Sequence, residues 1–536
     1  MPKRTSCILA AVLVLPAAAV SAASFAVDDL GDAVDISIGD GVCATARGSC
    51  TLRAAVQEAN ALAGADEIRL GSGRHELTIA GTGENKAAKG DLDVTDQLTI
   101  AGTNAYLSVI DANGIDRVID FAPGGTPRPL TLRDLTLTGG DVAGRGGALL
   151  YRREVRAERI IVTGNSADAG GGIGAATGGA PVLTLSASIV SLNAATEGGG
   201  IDLGASQAAE IDLAIVIANS ATHRGGGINI ATPAGDGVMR IRRTTIYGNN
   251  AGGRPAPRGG GIYAGAGLAL EQSHVGHNLA GLWGATAPEA TGLGGALFVG
   301  AGGGTVTNAT IEGNLAADAS AIGTQGDLAI THATIARNRS TWRGAVRQLD
   351  GGVASLMNTV IGENQPANCF GYPPPFVLFA NVETGSGALP APDSCQLGNS
   401  TYHVILAPLG YYGGPTRTMP PWPDLGWLVD QAFDANVALD QRGVARPQLA
   451  APDVGAVELQ ERRLSPRYTG GFAANAHSCD LDRNGRVDFA DLDRLIASFR
   501  VAGGAYRGKA PERLRECVAS CTHAGCPAVG VIGRPG

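Results

Sequence analysis

Lysine is absent from the whole stretch between Gly90 and Gly508, and aromatic residues make up only 4% of the 536-residue chain. Beyond the first twenty residues there is no run of roughly 18 apolar residues, the length a membrane-spanning helix needs. The formal charge is −8, with the basic residues almost all arginine. An acidic surface of this kind gives no reason to expect nucleic acid or an anionic membrane as partner. Glycine is abundant at 80 residues, yet it never keeps a strict every-third spacing, which excludes collagen. A hydrophobic fraction of 44% is too high for a disordered linker. Glycine must therefore punctuate something that packs.

The first segment has a positive start at Lys3 and Arg4, an apolar stretch from Ile8 to about Val20, and small residues at Ser21 to Ala23. This pattern is that of a secretory signal peptide, residues 1–23, with cleavage near Ala22 or Ala23, so the expected product is secreted or held at the cell surface. The eight cysteines that follow cluster as Cys43 with Cys50, Cys369 with Cys395, and Cys479 with Cys517, Cys521 and Cys526. In an oxidising compartment such clusters form local disulfides. Cys479, Cys517, Cys521 and Cys526, with His523 nearby, lack the paired two-residue loops of common zinc modules, which favours two disulfides of undetermined connectivity.

Two signals recur through the middle of the chain. A Gly-Gly-small-aliphatic motif ends at Leu149, Ile173, Ile201, Ile228, Ile262 and Leu297. An aliphatic residue also precedes an asparagine by three places at Asn165, Asn193, Asn219, Asn249, Asn278, Asn314, Asn338 and Asn364, with intervals of 24 to 36 residues. Between these signals lie short β-branched runs without helical periodicity, such as Met239 to Ile246. One coil per interval, with short strands and tight corners, predicts an all-β, right-handed parallel β-helix, a solenoid. On this reading asparagine takes the left-handed backbone conformation of a corner, glycine bends the chain before each inward aliphatic residue, and like side chains stack into ladders. No leucine consensus or Trp-Asp pair is present to support a leucine-rich repeat or a propeller.

The expected organisation is an N-terminal cap and first coils over 24–129, the repetitive β-helix over 130–365, a C-terminal cap over 366–460 and a small α-helical module over 461–536. Leu52, Ala55, Val56 and Ala59 share one helical face, which predicts an N-terminal capping helix tethered by a Cys43 to Cys50 disulfide. The stretch GDGVCATARGSCTLRAAVQEANAL resembles the Cys-Ser-Leu-Arg-Glu-Ala element (CSLREA) of exported bacterial β-helix proteins, with Thr51 for Ser and Ala54 for Glu. LAPLGYYGGPTRTMPP, with Leu439 to Pro447 and Asp453 to Glu458, is similar to the C-terminal element of the choice-of-anchor group. The repeats also resemble those of polymorphic outer-membrane adhesins. Together the resemblance spans roughly residues 25 to 460 and implies an architecture, not an activity. The residues after Glu458 are too few for a membrane β-barrel, so self-translocation is not expected.

One motif carries a defined chemistry. Asp480, Asp482 and Asn484 fall at positions one, three and five of a calcium loop, with Gly485 at the sharp turn. Arg486 offers its backbone carbonyl, Asp488 sits at position nine and Asp491 closes the loop. The cofactor expected is Ca2+, in an EF-hand that resembles a single dockerin-type repeat. Dockerins carry two such repeats and residues 508–536 hold no second loop, so the resemblance gives little reason to expect a cohesin-like partner.

No catalytic residues are assigned. Acidic residues of the repeat, among them Asp202, Asp212 and Asp236, occur in no Asp-Asp pair, and His223, His274 and His277 are isolated in sequence. Arg240, Arg242, Arg243, Arg254 and Arg258 read as solvent-side decoration of alternating strands. The expected function is an adhesin-like scaffold that binds extracellular polysaccharide or a surface protein; the alternative is a calcium-dependent polysaccharide lyase or a glycoside hydrolase.

Overall fold

The computed structural model describes residues 22–460 apart from 125–128, 205, 232–236, 238, 254–255, 282–291, 350, 371–376, 380, 384–394, 396–405, 422–427 and 434–436. The signal peptide, the calcium loop Asp480 to Asp491, and Cys479, Cys517, Cys521 and Cys526 lie outside the described residues.

The chain winds as a parallel β-helix of stacked coils. Its strands form a first sheet of thirteen strands from Ser24–Val27 to Val377–Phe379, a second of eleven from Leu92–Val94 to Cys369–Phe370, and a third of twelve from Gly73–Glu76 to Val382–Glu383. A short fourth sheet of six runs from Ala194–Glu197 to Arg339–Ser340. At roughly 4.8 Å between neighbouring strands the first sheet makes a shaft on the order of 60 Å long. Coils therefore begin well before the glycine-rich repeat, in residues whose motif signal is weak.

Alternation within each short strand sends one set of side chains inward, and stacking keeps like over like. In the second sheet Ile119, Leu149, Ile173, Ile201, Ile228, Ile262, Leu297 and Ile322 follow one another in register. In the first, Leu185 lies between Ala157 and Ile211. All are buried, and each large aliphatic side chain contributes on the order of 1.5–3 kcal/mol.

The Gly-Gly-Gly corner has a separate reason at each place. Gly225 has φ +62°, a conformation costly for other residues. A Cβ on Gly226 would sit 2.4 Å from the Gly260 carbonyl oxygen of the next coil, and one on Gly227 would sit 3.1 Å from the Asn249 amide. The asparagine corner differs from expectation. The left-handed residue is the one before the asparagine, such as Leu192 (φ 58°), Ala218 (φ 55°) or Arg337 (φ 59°). The asparagine is reserved for hydrogen bonding. Each Oδ1 from Asn193 to Asn364 accepts both the backbone N–H and the Nδ2–H of the asparagine one coil earlier, at 2.9–3.0 Å. A second left-handed corner, unmarked by any one residue type, stacks Asp134, Arg159, Ala187, Leu213, Arg243, Gln272, Asn308, His332 and Asn358.

Helix α1 spans Leu52–Ala61, begins on the Thr51 side chain, and touches the first strands of the shaft. Its apolar face is buried as expected, and so are Arg53, Gln57 and Glu58, because residues 35–41 fold over its other side. Glu58 accepts the Gly39 and Gly41 N–H groups at 2.6 and 2.9 Å, and Gln57 accepts that of Asp35 at 2.8 Å. The Cys43–Cys50 and Cys369–Cys395 disulfides are in place.

The described parts of residues 406–459 form a strap along the outer face of the third sheet. Leu406, Met419, Leu428, Ala432 and Val454 pack on Ala336 and Val360. Gln272 donates to the Asp440 carbonyl at 2.8 Å, Asn308 to that of Leu439 at 2.7 Å, and Asn358 to that of Phe433 at 2.7 Å. The Leu439 to Pro447 and Asp453 to Glu458 motifs are the interlocking part of this strap. Asp440 binds Arg442 and accepts the Glu458 N–H at 3.0 Å, while Arg446 binds Glu458 at 2.9 Å. No helix among the described residues is long and apolar enough to cross a membrane.

Candidate binding cleft

In the three-residue strands of the second sheet the first and third side chains enter the core, so the middle one points out. Register places these outward residues in one row: Asp93, Asp120, Leu150, Gly174, Asp202, Asn229, Tyr263, Phe298, Gly323, Arg347 and Phe370. Most are buried although they face away from the core. They form the floor of a cleft whose one rim is the residue just before each glycine corner. Bridges stack that rim as Arg145, Ala169 and Glu197, and then Arg224, Arg258, Leu293 and Asp318.

The end of the floor near the N-terminus is acidic. Asp93 and Asp120 sit opposite each other on adjacent strands, and their carboxylates and that of Asp91 lie within 4.8 Å of one another. Burial, together with the charges of Asp93 and Asp116, pushes Asp91 up to about 7. Burial, with Glu84 and Asp120 nearby, pushes Asp93 up to about 6. Arg117 bridges Asp91 at 2.9 Å and Asp120 at 3.5 Å, and Arg152 pairs with Asp120 from the next coil. Arg53 of α1 supports the cluster from beneath, donating to the Gly90 and Asp91 carbonyls at 2.8 and 3.3 Å. Asp202, higher on the floor, pairs with Arg145 and accepts from Asn229 at 2.6 Å, and burial still raises its pKa.

Aromatic residues and arginines share the other half. Tyr263 and Phe298 stack with centroids 5.6 Å apart and planes within 2°. Arg224 lies over Tyr263 at 5.0 Å, Arg258 over Phe298 at 4.6 Å and Arg343 over Phe370 at 4.8 Å. Each arginine covers a ring of the next coil.

The sequence-marked residues divide accordingly. Arg240 and Arg242 stand on the first sheet near Glu271, and Arg243 binds Asp212 at a corner, as decoration would. Arg258 instead lies on the cleft rim. Arg254, Asp236 and the calcium loop fall outside the described residues. Carboxylates absent as Asp-Asp pairs in sequence are paired in space at Asp93 and Asp120, and the signal that finds the outward aspartates is apolar-Asp-apolar: Leu92-Asp93-Val94, Ile119-Asp120-Phe121 and, standing between Gly174 and Asn229, Ile201-Asp202-Leu203. His274 and His277 are not isolated either. Both reach Glu312, at 3.1 and 3.4 Å, on the third sheet beside the strap. A hollow at the start of the first sheet, lined by Ala23, Glu67, Thr99, Thr131 and Arg133, offers little chemistry, since Glu67 is already bound by Arg69 and Arg133.

The acidic cluster makes a stability prediction. Asp93 titrates higher in the fold than in the unfolded chain, so its contribution is present at low pH and is lost as pH rises from about 4 to about 6. Asp93→Asn should therefore raise the denaturation midpoint at pH 8 and change it little at pH 4. An equal shift at both pH values would refute the electrostatic account.

No family model matches this sequence, and no curated protein matches it. Among solved structures the chain is similar to one described as "Crystal structure of pectate lyase Pel9A", with 12% identity, a TM-score of 0.43, and coverage of 82% of this chain and 97% of that one.

Proposed function

We propose that this chain is an exported β-helix scaffold that binds extracellular carbohydrate along the outer face of the second sheet and holds it without cleaving it. The supporting observation is the linear row of outward side chains on eleven stacked strands, rimmed by arginines, a repeating surface suited to a linear repeating ligand. In this reading α1 with its disulfide closes the N-terminal end in the manner of the CSLREA element, and the choice-of-anchor-like residues fasten the strap. The Asp480 to Asp491 loop adds a Ca2+-binding module after the shaft.

A specific observation favours the second reading, a polysaccharide lyase or glycoside hydrolase. Asp91 and Asp93 titrate near neutrality, as a general acid must. Against it, Asp91, Asp93 and Asp120 are 4%, 3% and 7% exposed, which leaves little room for a glycosidic oxygen. The test is retention of the full chain on immobilised neutral and acidic polysaccharides, with and without calcium, for wild type and Asp480→Ala. Retention without new reducing or unsaturated ends supports the binding scaffold, whereas turnover abolished by Asp93→Asn would replace it with the enzyme. Equal calcium uptake by wild type and Asp480→Ala would remove the metal assignment.

A further inference from the structure

Arginine recurs on the cleft rim immediately before the glycine corner at Arg145, Arg224 and Arg258, and Arg343 stands one place further along the corner in a later coil. Three of the four have a carboxylate: Asp202 for Arg145, Glu197 for Arg224 at 2.6 Å, and Asp318 for Arg343 at 3.5 Å. Arg258 has none among the described residues. The reason is in the register, since its rim neighbours are Arg224 on one side and Leu293 on the other, a second cation and an apolar residue. Its guanidinium is half-buried and held 4.6 Å from the Phe298 ring, which in turn is fixed by stacking on Tyr263.

A planar guanidinium that is stacked, partly shielded from water and short of a counter-ion is pre-organised for an anion. Its forked donors match a carboxylate or a sulfate, and little side-chain freedom remains to be lost on binding. Arg224, one coil away, adds a second positive charge already half satisfied by Glu197. We propose that Arg258 forms an anion-binding subsite for an acidic polysaccharide lying along the cleft, with Arg224 as its supporting charge. This deepens, and rests on, the reading of the cleft as a carbohydrate-binding surface.

The test compares wild type, Arg258→Gln and Arg258→Lys for retention on alginate, dextran sulfate and unmodified dextran. EDTA is present throughout so that calcium cannot bridge protein and polyanion. Wild type should bind at least one polyanion about tenfold more tightly than dextran, and that excess should fade in high salt. Arg258→Gln should lose about tenfold on the polyanion and nothing on dextran, while Arg258→Lys, which keeps the charge but not the forked donors or the stacking plane, should fall between Arg258→Gln and wild type; alginate against dextran sulfate identifies the anion. Thermal melts confirm that the variants are folded, and if Arg258→Gln does not fold, Arg258→Met, which keeps the contact with Phe298, replaces it. Undiminished polyanion binding by the uncharged variants overturns the subsite. Equal wild-type binding to charged and neutral matrices overturns it too, yet leaves the carbohydrate-binding reading standing. No retention on any matrix overturns both.

Discussion

Asn249→Ala is expected to destabilise the shaft by about 3–6 kcal/mol, one of the largest effects of any single substitution in it. Asn249 is fully buried at the middle of the ladder. Its Oδ1 accepts from the backbone N–H and the Nδ2–H of Asn219, both at 3.0 Å, and its Nδ2 donates to the Val216 carbonyl at 2.9 Å and to Asn278 Oδ1 at 3.0 Å. Truncation leaves two buried donors of Asn219 and the Val216 carbonyl without these partners. Each orphaned buried group costs about 1–3 kcal/mol, and the pocket is too tightly enclosed by Gly227 to relax without moving backbone. Asn249→Asp should be worse, because it keeps the acceptor but faces a charge toward Asn278 Oδ1 in a buried place. Denaturant midpoints measure the loss, and hydrogen exchange should localise it to the coils around 216–278, since a solenoid transmits stability mainly between neighbours. A change under about 1 kcal/mol would mean that backbone pairing alone carries the stack.

The ladder also shows which part of the fold is readable from sequence. Asn249 and Ile246 recur because every coil imposes the same geometry on them, so period alone locates the corners and the core. Period suggests two roles for asparagine, a left-handed corner and a stacked ladder; the structure gives the corner to Ala218 or Gly248 and keeps the ladder for asparagine. The opposite corner was invisible, since Arg159, Ala187, Leu213 and His332 share no chemistry and only the backbone is repeated. The acidic cluster was hidden for another reason. Asp93 and Asp120 are 27 residues apart and become neighbours only through coils that lack the glycine motif. The strap residues Asp440, Arg446 and Ala456 lie in a recognisable pattern, while their partners, Gln272 and Asn308 at the second left-handed corner and Thr334 on the third sheet, lie more than a hundred residues earlier.

Arg446→Met should detach the strap while leaving the shaft folded. Arg446 and Glu458 are each 1% exposed, and Arg446 also donates to the Asp453 and Gly455 carbonyls at 3.0 and 2.8 Å. Removing the guanidinium leaves Glu458 as a buried charge, a loss of about 3–5 kcal/mol. Limited proteolysis should then cut within residues 406–459, and exchange protection of the coils from 130 to 210 should be unchanged. Arg446→Met with Glu458→Gln should recover only part of the loss, because the buried charge is gone but the single Oε1 of Gln can accept from one of the Asp453 and Gln448 N–H groups and not both. Acid should mimic the single variant. Burial holds His274 down at about 4 and His332 at about 3, so both contribute fully above pH 6.5 and lose that contribution as pH falls. Burial alone would raise Glu312, but hydrogen bonds from His274 and His277 hold it below the usual carboxylate range, and protonating it adds to the loss at the acid end. Asp453 acts oppositely: burial and Glu458 raise it to about 7, so its contribution grows on acidification from pH 7 to about 4. Two histidines and Glu312 outweigh one aspartate, which places the tightest docking between about pH 6 and 7 and release below about pH 4. Proteolysis of the strap that is equally slow at pH 3.5 and pH 6.5, with the shaft intact at both, would show that the apolar contacts of Met419, Leu428 and Val454 hold it without these charges.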